Sequence, residues 1–275
     1  MPCPVKTSGP SLFDYDECVP GPLHFDAHAA LYDRGRPPYP DQLWTCLGSH
    51  GWLSPGGRVV ELGAGSGLAT RRLLAAGARV TAVEPGPALA GLLRERCPDA
   101  SIILGTAEET GLDESAFDLA VIATAVHWLD LGLVLPKLHA ALTPGGHLAV
   151  WRNAFGDPSV SLTPFRERVA QVVDRRPPGP PRSGPGELAT AAWADALEAG
   201  GYFERVLVEE FAWAITLDRS QVRDLFTTFS DWSAAEADEV ARSVDDLGGR
   251  VVEHYRTPLV VLRRTGHVPS AGNTF

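Results

Sequence analysis

The sequence predicts an α/β chain on an open, doubly wound, mostly parallel sheet of seven strands. Three observations predict it. Apolar runs of strand composition and segments of helical composition alternate five times between residues 58 and 151, the pattern of successive βαβ units. One run, Phe117-Asp118-Leu119-Ala120-Val121-Ile122-Ala123, is almost wholly apolar, as a strand covered on both faces must be. The stretch RVVELGAGSGLAT at 58–70 passes from a short apolar run through a glycine turn straight into helical composition. Right-handed crossovers then place helices on both faces of the sheet.

Taken in order, residues 1–22 are rich in Pro, Gly and Ser and read as a tail. A helix is expected over 25–32, with Phe25, Ala29 and Tyr32 on one face. In the YDRGRPPYP segment at 32–40 three prolines forbid a regular helix. A helix over 41–53 and a Pro55-Gly56-Gly57 turn lead to the first strand, 59–62, and its helix, 68–76. The second strand is 80–83, followed by a helix at 87–97; the third is 101–104; the fourth is the apolar run 117–123. A helix over 131–142, a Pro144-Gly145-Gly146 turn and a fifth strand at 147–151 complete the alternation. The rhythm then changes. A helix at 162–174 and a Pro/Gly-rich stretch at 175–186, which cannot pack as helix or ladder, read as an inserted lid with a flexible connection. Helices at 187–199, 219–229 and 234–247 and strands at 203–214 and 259–262 end the fold. The expected division is one domain over 23–265: an N-terminal helical cover at 23–57, a core at 58–151, the lid at 152–200 and a C-terminal part at 201–265. A second tail follows at 266–275.

Composition narrows the function classes. The 275 residues carry a formal net charge of −10, which argues against a general nucleic-acid binder, since such proteins need a basic surface. No apolar run approaches the roughly 20 residues that span a bilayer. The N-terminus lacks the apolar core of a secretory signal. Cys3, Cys18, Cys46 and Cys97 are scattered without metal-ligand spacing, so reduced thiols in a cytoplasmic protein without a metal are expected. The sequence leaves monomer and homodimer open.

The glycine turn carries the first chemical signal. Glycines accept backbone angles closed to other residues and let a ligand touch the main chain, and the amides of the following helix point at that ligand. Glu84 ends the second strand about 20 residues beyond the turn, where a ribose-binding carboxylate belongs. A dinucleotide fingerprint would need a further glycine where Leu68 stands. The spacing of Gly63, Gly65 and Gly67 therefore departs from such a site.

The set YxxxRPPYP, VVELGAGSG, TAVEPG, FDLAVIATAVHWLD and LTPGGHLAVW, with EFAWAITLD, LFTTFSDWS and TPLVVLRR near the end, resembles the Rossmann-like class I methyltransferases that use S-adenosylmethionine, in the branch related to trans-aconitate methyltransferases. The resemblance covers residues 25–264. It implies that Glu61, Gly63, Ala64, Gly65 and Gly67 line the methionine and ribose part of the cofactor, with Glu84 and Pro85 at the ribose. It implies that Ala107 presents backbone to the adenine. The residue before it is often Asp in this family; here it is Thr106, so either that contact is reduced or Glu108 supplies it. Ala123, Thr124 and Ala125 would lie near the sulfonium, and S-adenosylhomocysteine would be the product. Tyr32 and Arg36 would hold the cofactor's carboxylate, against the alternative that Arg36 is a solvated loop residue.

The acceptor is read from fewer signals. A carboxylate acceptor is already ionised at neutral pH and needs only an anion pocket; a hydroxyl needs a base. His127, on the rim after the fourth strand, is either that base or a structural hydrogen-bonding residue. Trp128 beside it can pack against cofactor or substrate. Between 151 and 187 stand Arg152, Arg166, Arg168, Arg175, Arg176 and Arg182, which suit an anionic substrate or are ordinary linker arginines. Arg152, ending the fifth strand, is the strongest of them. Trp151, Trp213, Thr228, Ser230 and Trp232 are pocket candidates, with burial in the core as the alternative. The leading expectation is methyl-ester formation on a small-molecule carboxylate or a free peptide C-terminus. The alternatives are transfer to nitrogen, carbon or a hydroxyl with His127 as base, and a cofactor-binding protein that does not methylate.

Overall fold

A computed structural model describes residues 25–177, 186, 188–229 and 231–266. The strands are β1 (Arg58–Leu62), β2 (Arg79–Glu84), β3 (Ser101–Leu104), β4 (Phe117–Ala123), β5 (Leu142–Trp151), β6 (Ala154–Phe155), β7 (Phe203–Asp218) and β8 (Arg250–Arg264). They form one sheet in the order β3-β2-β1-β4-β5-β8-β6, with β7 also paired to β8. The first five run parallel, and β8 is antiparallel to β5, β6 and β7. The chain goes outward from β1 to β3 and then returns to β4, so the switch point lies between β1 and β4. Open α/β sheets bind ligands at the carboxyl end of that junction.

Alternation along the strands separates two cores. Val59, Val80, Leu119, Val121 and Trp151 face Leu43, Leu47, Leu73 and Leu93 from α2 (Asp41–Ser49), α3 (Leu68–Ala75) and α4 (Pro87–Arg96). Val60, Leu62, Ile122, Leu148 and Val150 face Leu135, Leu138, Ala194 and Leu197 from α5 (Leu131–Ala141) and α7 (Thr190–Glu198). A third cluster unites Phe165, Val169, Val222, Phe226, Val240 and Val244. It joins α6 (Pro164–Val173), α8 (Arg219–Thr227) and α9 (Ala234–Asp246) beside the outer ends of β7 and β8. Local chemistry starts these helices: Thr163 and Pro164 open α6, and capping boxes at Asp218–Gln221 and Ser233–Glu236 open α8 and α9.

Several expectations change. The N-terminal helix is α1 (Ala29–Gly35), preceded by a 3₁₀ turn at Asp26–His28; it runs past Tyr32 because the first proline stands at Pro37. The Pro144-Gly145-Gly146 turn is absorbed as a bulge within β5, where Gly145 takes φ +81° and the register against β4 shifts. The sheet has an eighth strand, the two-residue β6, too short to carry a period. Strands β7 and β8 extend beyond their expected bounds because their outer halves pair with each other in mixed sequence, from Phe211↔Thr257 to Asp218↔Arg250. The stretch 152–200 is not one lid: α6 joins the third cluster while α7 packs on the sheet, since Trp193, Ala194 and Leu197 give α7 an apolar stripe. The proline-rich segment at 178–185 lies outside the described residues.

Candidate active site

The glycine turn and the end of β4 meet at the switch point. Gly63, Gly65 and Gly67 have φ of +70°, +58° and +91°, all left-handed, where side chains are disfavoured. Gly67 is also crowded, since a Cβ there would stand 2.7 Å from Leu93. The turn is pinned to β2 by the Gly63 and Ala64 amides, which donate to the Val83 carbonyl at 2.9 and 3.1 Å. Glu84 accepts from the Gly65 amide at 2.8 Å and from the Gly86 amide at 2.9 Å. Burial raises its carboxyl pKa, against these two amides, which lower it. Each oxygen keeps a second lone pair for a ligand hydroxyl. Glu61 is 1% exposed and accepts from the Thr70 hydroxyl at 2.6 Å. Burial first, and the Glu84 charge after it, hold its pKa up at about 8.

A narrow cleft of about 370 Å³, its open mouth included, runs between the turn and the N-terminal cover. Its walls include Glu61, Gly63, Ala64, Gly65 and Ala123 on one side and Tyr32, Asp33, Arg36 and Tyr39 on the other. Asp33 was missed from sequence; it sits on α1 between Arg96 at 2.7 Å and Arg71 at 3.8 Å. Tyr39 was missed too, although it belongs to the quoted RPPYP segment. Asp26 docks the cover by accepting from the Leu89 amide at the start of α4. Phe25 bridges the rings of Tyr32 and Trp128, with centroids at 5.3 and 5.8 Å.

The residues expected at the adenine are engaged in local structure. The Thr106 hydroxyl accepts from the Glu109 amide at 3.2 Å, and Glu108 accepts from the Asp130 amide at 2.9 Å. Lys137 donates to the carbonyls of Ala107, at 2.8 Å, and of Glu108. Pro85 is half-buried next to Glu84.

At the other end of the cleft, Thr124 has φ +58°. A β-branched residue in that region is an outlier, at a cost on the order of 1–3 kcal/mol. Its amide donates to the Trp151 carbonyl at 2.7 Å, and its hydroxyl meets that of Tyr39 at 2.9 Å. Ala125 follows, buried against Gly63.

Beyond it, His127 is packed beside Trp128. Its pKa is driven down to about 3, by burial first and then by the charges of Arg152 and Arg36. Two guanidiniums therefore bear on one imidazole. Arg36 donates to the Thr228 carbonyl at 2.9 Å and lies over Tyr32 and Phe229, while its Nε is buried without a hydrogen bond. Arg152 is buried over the Trp193 ring. Arg36 also acts on the buried Tyr255, whose pKa rises mainly through burial. Tyr255 stacks on Trp213 at 4.8 Å, and Trp213 donates to the Thr257 hydroxyl at 2.8 Å. Two residues before Tyr255, Glu253 is 1% exposed beside Arg166, with burial pushing its pKa to about 7. Neither Glu253 nor Tyr255 was legible, because nothing in sequence says which face of a polar strand turns inward.

Other candidates are placed elsewhere. Trp151 is fully buried against Tyr39 and Trp44; it is core, because β5 is central in the sheet. Trp232 packs on Phe226 and under Arg176. Thr228 spends its hydroxyl on the Leu225 carbonyl and reaches the site through its own carbonyl. Arg175 and Arg176 pair with Glu239 and Glu236 of α9, and Arg168 is exposed. Ser230 and Arg182 lie outside the described residues. No described helix is long and apolar enough to cross a membrane.

Comparison with known proteins fits this geometry. A family described as a methyltransferase domain matches residues 60–150. An uncharacterised methyltransferase of Mycobacterium bovis is 40% identical over 134 residues, 48% of this chain and 53% of that protein. A malonyl-[acyl-carrier protein] O-methyltransferase of Serratia marcescens is 32% identical over 124 residues, 44% of this chain and 45% of that one. The chain thus spans about half the length of the curated relatives it matches. A solved structure described as a type II methyltransferase from Anaeromyxobacter dehalogenans aligns with a TM-score of 0.60 at 22% identity, covering 83% of this chain and 97% of that one. That likeness is one of fold. Matched domain, fold and glycine turn agree: residues 60–150 carry a methyltransferase domain, on a fold of the class I, S-adenosylmethionine-dependent kind.

Proposed function

We propose that the chain methylates a carboxylate on a small molecule, or on a free peptide C-terminus, to give a methyl ester. The observation that carries this is Arg152, a cation buried over the Trp193 ring, whose charge helps to lower the pKa of the buried His127. A buried guanidinium near a neutral imidazole favours an anion there. An imidazole so acidified is a poor proton acceptor at neutral pH, so the same observation disfavours His127 as the base for a hydroxyl. Neutral His127 can instead donate one N–H to the acceptor. The match to a relative named as an O-methyltransferase of a malonyl carrier is in keeping with transfer to oxygen.

The cofactor's chemistry fits the cleft. Asp33 and Glu61 suit its ammonium, Arg36 its carboxylate, and Glu84 its ribose hydroxyls. S-adenosylmethionine supplies a methyl group on a sulfonium. The acceptor oxygen forms the new O–C bond as the C–S bond breaks, and its electron pair stays on the sulfur of S-adenosylhomocysteine. No proton need leave. The protein's part is alignment, charge complementarity and exclusion of water; Phe25, Tyr32 and Trp128 serve the last.

Methyl-labelled S-adenosylmethionine, incubated with a pool of carboxylic acids, should give a product that releases labelled methanol in alkali. Label retained through alkali would sink the ester reading. Arg152→Met should raise the KM of the accepted acid about 10- to 100-fold, the scale of a lost charged hydrogen bond; an unchanged KM would remove Arg152 from the acceptor site. Glu84→Ala should weaken S-adenosylmethionine by about 1–3 kcal/mol in titration calorimetry. Unaltered affinity would count against the ribose role.

A further inference from the structure

We propose that Tyr39 is a positioning residue for the cofactor cleft: its hydroxyl holds Thr124 in the left-handed conformation and so fixes the wall formed by residues 123–125. The consequence for catalysis rests on the cofactor reading above. The contact itself rests on geometry alone.

Thr124 has two tethers. Its amide donates to the Trp151 carbonyl of β5 at 2.7 Å, and its hydroxyl lies 2.9 Å from the Tyr39 hydroxyl. With φ at +58°, a β-branched side chain returns to the ordinary extended region unless something over-determines it. The amide tether alone leaves the side chain free to pull the turn open. The hydroxyl tether closes it. What the turn achieves is visible one residue on, where a Cβ at Gly63 would come within 2.6 Å of the Ala125 Cβ. The strained residue thus presses the end of β4 against the glycine turn. Ala123, one residue earlier, lines the cleft together with Tyr39.

Tyr39 is well suited to anchor a neighbour. Pro37, Pro38 and Pro40 stiffen its segment, and Asn153 donates to the Pro38 carbonyl at 3.1 Å. Its ring is held edge-on by Trp44 and Trp151, with centroids at 6.3 and 5.7 Å. A Tyr39→Phe change keeps that packing and removes only the hydroxyl.

The test is a double-mutant cycle of Tyr39→Phe and Thr124→Gly, with Thr124→Ala beside it. Each protein is titrated with S-adenosylmethionine and, separately, unfolded in urea without it. Tyr39→Phe and Thr124→Ala should each bind about five- to tenfold more weakly than the parent; glycine takes positive φ freely, so Thr124→Gly should lose less than Thr124→Ala. In the Thr124→Gly background, Tyr39→Phe should have an effect of less than about twofold, because the strain it opposes is gone. The urea midpoints should show the same dependence on background. An equal effect of Tyr39→Phe in both backgrounds, or a Thr124→Ala protein that behaves as the parent, overturns the proposal. If the parent itself does not bind S-adenosylmethionine, the cofactor reading fails, and the urea cycle still decides the role of Tyr39.

Discussion

Gly63→Ala is expected to destabilise the ligand-free protein by about 2–5 kcal/mol, from left-handed strain of roughly 1–2 kcal/mol and overpacking of roughly 1–3 kcal/mol. The new methyl group would stand 2.6 Å from the Ala125 Cβ at a backbone φ of +70°. Neither side can give way cheaply. Gly63 is bonded through its amide to Val83, and Ala125 follows the tethered Thr124. Relief would come only by parting the glycine turn from β4, which opens the cleft, so S-adenosylmethionine binding should fall below detection. Gly65→Ala is the control. It shares the backbone strain at φ +58° but would meet only the Tyr32 ring, at 3.7 Å, so its cost should stay near 1–2 kcal/mol. Urea unfolding of the two variants measures the difference. Equal costs would mean that the contact with Ala125 is not a constraint.

Glu61→Gln should do the opposite to stability and still harm binding. The Glu61 pKa is about 8 in the folded chain against 4.5 ordinarily, so the folded state holds a proton that the unfolded state has lost. Its contribution is complete below about pH 4.5 and is lost as pH rises through about 8. A neutral amide of the same shape keeps an acceptor for Thr70 and has no charge to desolvate. At pH 8 the ligand-free variant should be more stable by about 2–4 kcal/mol. S-adenosylmethionine carries positive charge and favours ionised Glu61, so its affinity for the parent should rise with pH toward 8 and above. The variant should bind about 10- to 100-fold more weakly, without that slope. Parallel pH profiles of stability for the two proteins would show that Glu61 does not carry the buried proton.

How much of this was legible depended on distance along the chain. Gly63, Gly65, Gly67 and Glu84 lie on consecutive elements of one βαβ unit, and their spacing alone predicted that they meet, as they do where Glu84 accepts from the Gly65 amide. The parallel half of the sheet was legible because buried parallel strands are nearly pure apolar runs. Strand β7 was legible as far as residue 214 and β8 only over 259–262, because the outer part of β8 mixes Arg, Glu and His with its apolar residues. The contacts made by the C-terminal part were least legible. Arg36 meets the Thr228 carbonyl across 192 residues and Thr257 meets Asn153 across 104, and no local pattern encodes such meetings. Thr106 and Glu108 illustrate the reverse case. Their positions were legible, but their side chains are spent on the Glu109 and Asp130 amides, a competition that only the folded loop reveals.

Helix α1 has a consequence for how such an enzyme could be recombined. Gly35 lies so close to α8 that a Cβ there would be 2.6 Å from the Asp224 carbonyl oxygen. On the same helix Asp33 is clasped by Arg71 and Arg96 from α3 and α4, and Arg36, just past the helix end, donates to the Thr228 carbonyl. A segment translated before the methyltransferase domain is therefore the rivet between that domain and the C-terminal layer translated after it. Swapping residues 152–265 for those of a relative would leave the rivet cut to the wrong surface. A working chimera would have to import residues 25–40 along with the new C-terminal layer, and these two distant pieces should drift through evolution as one.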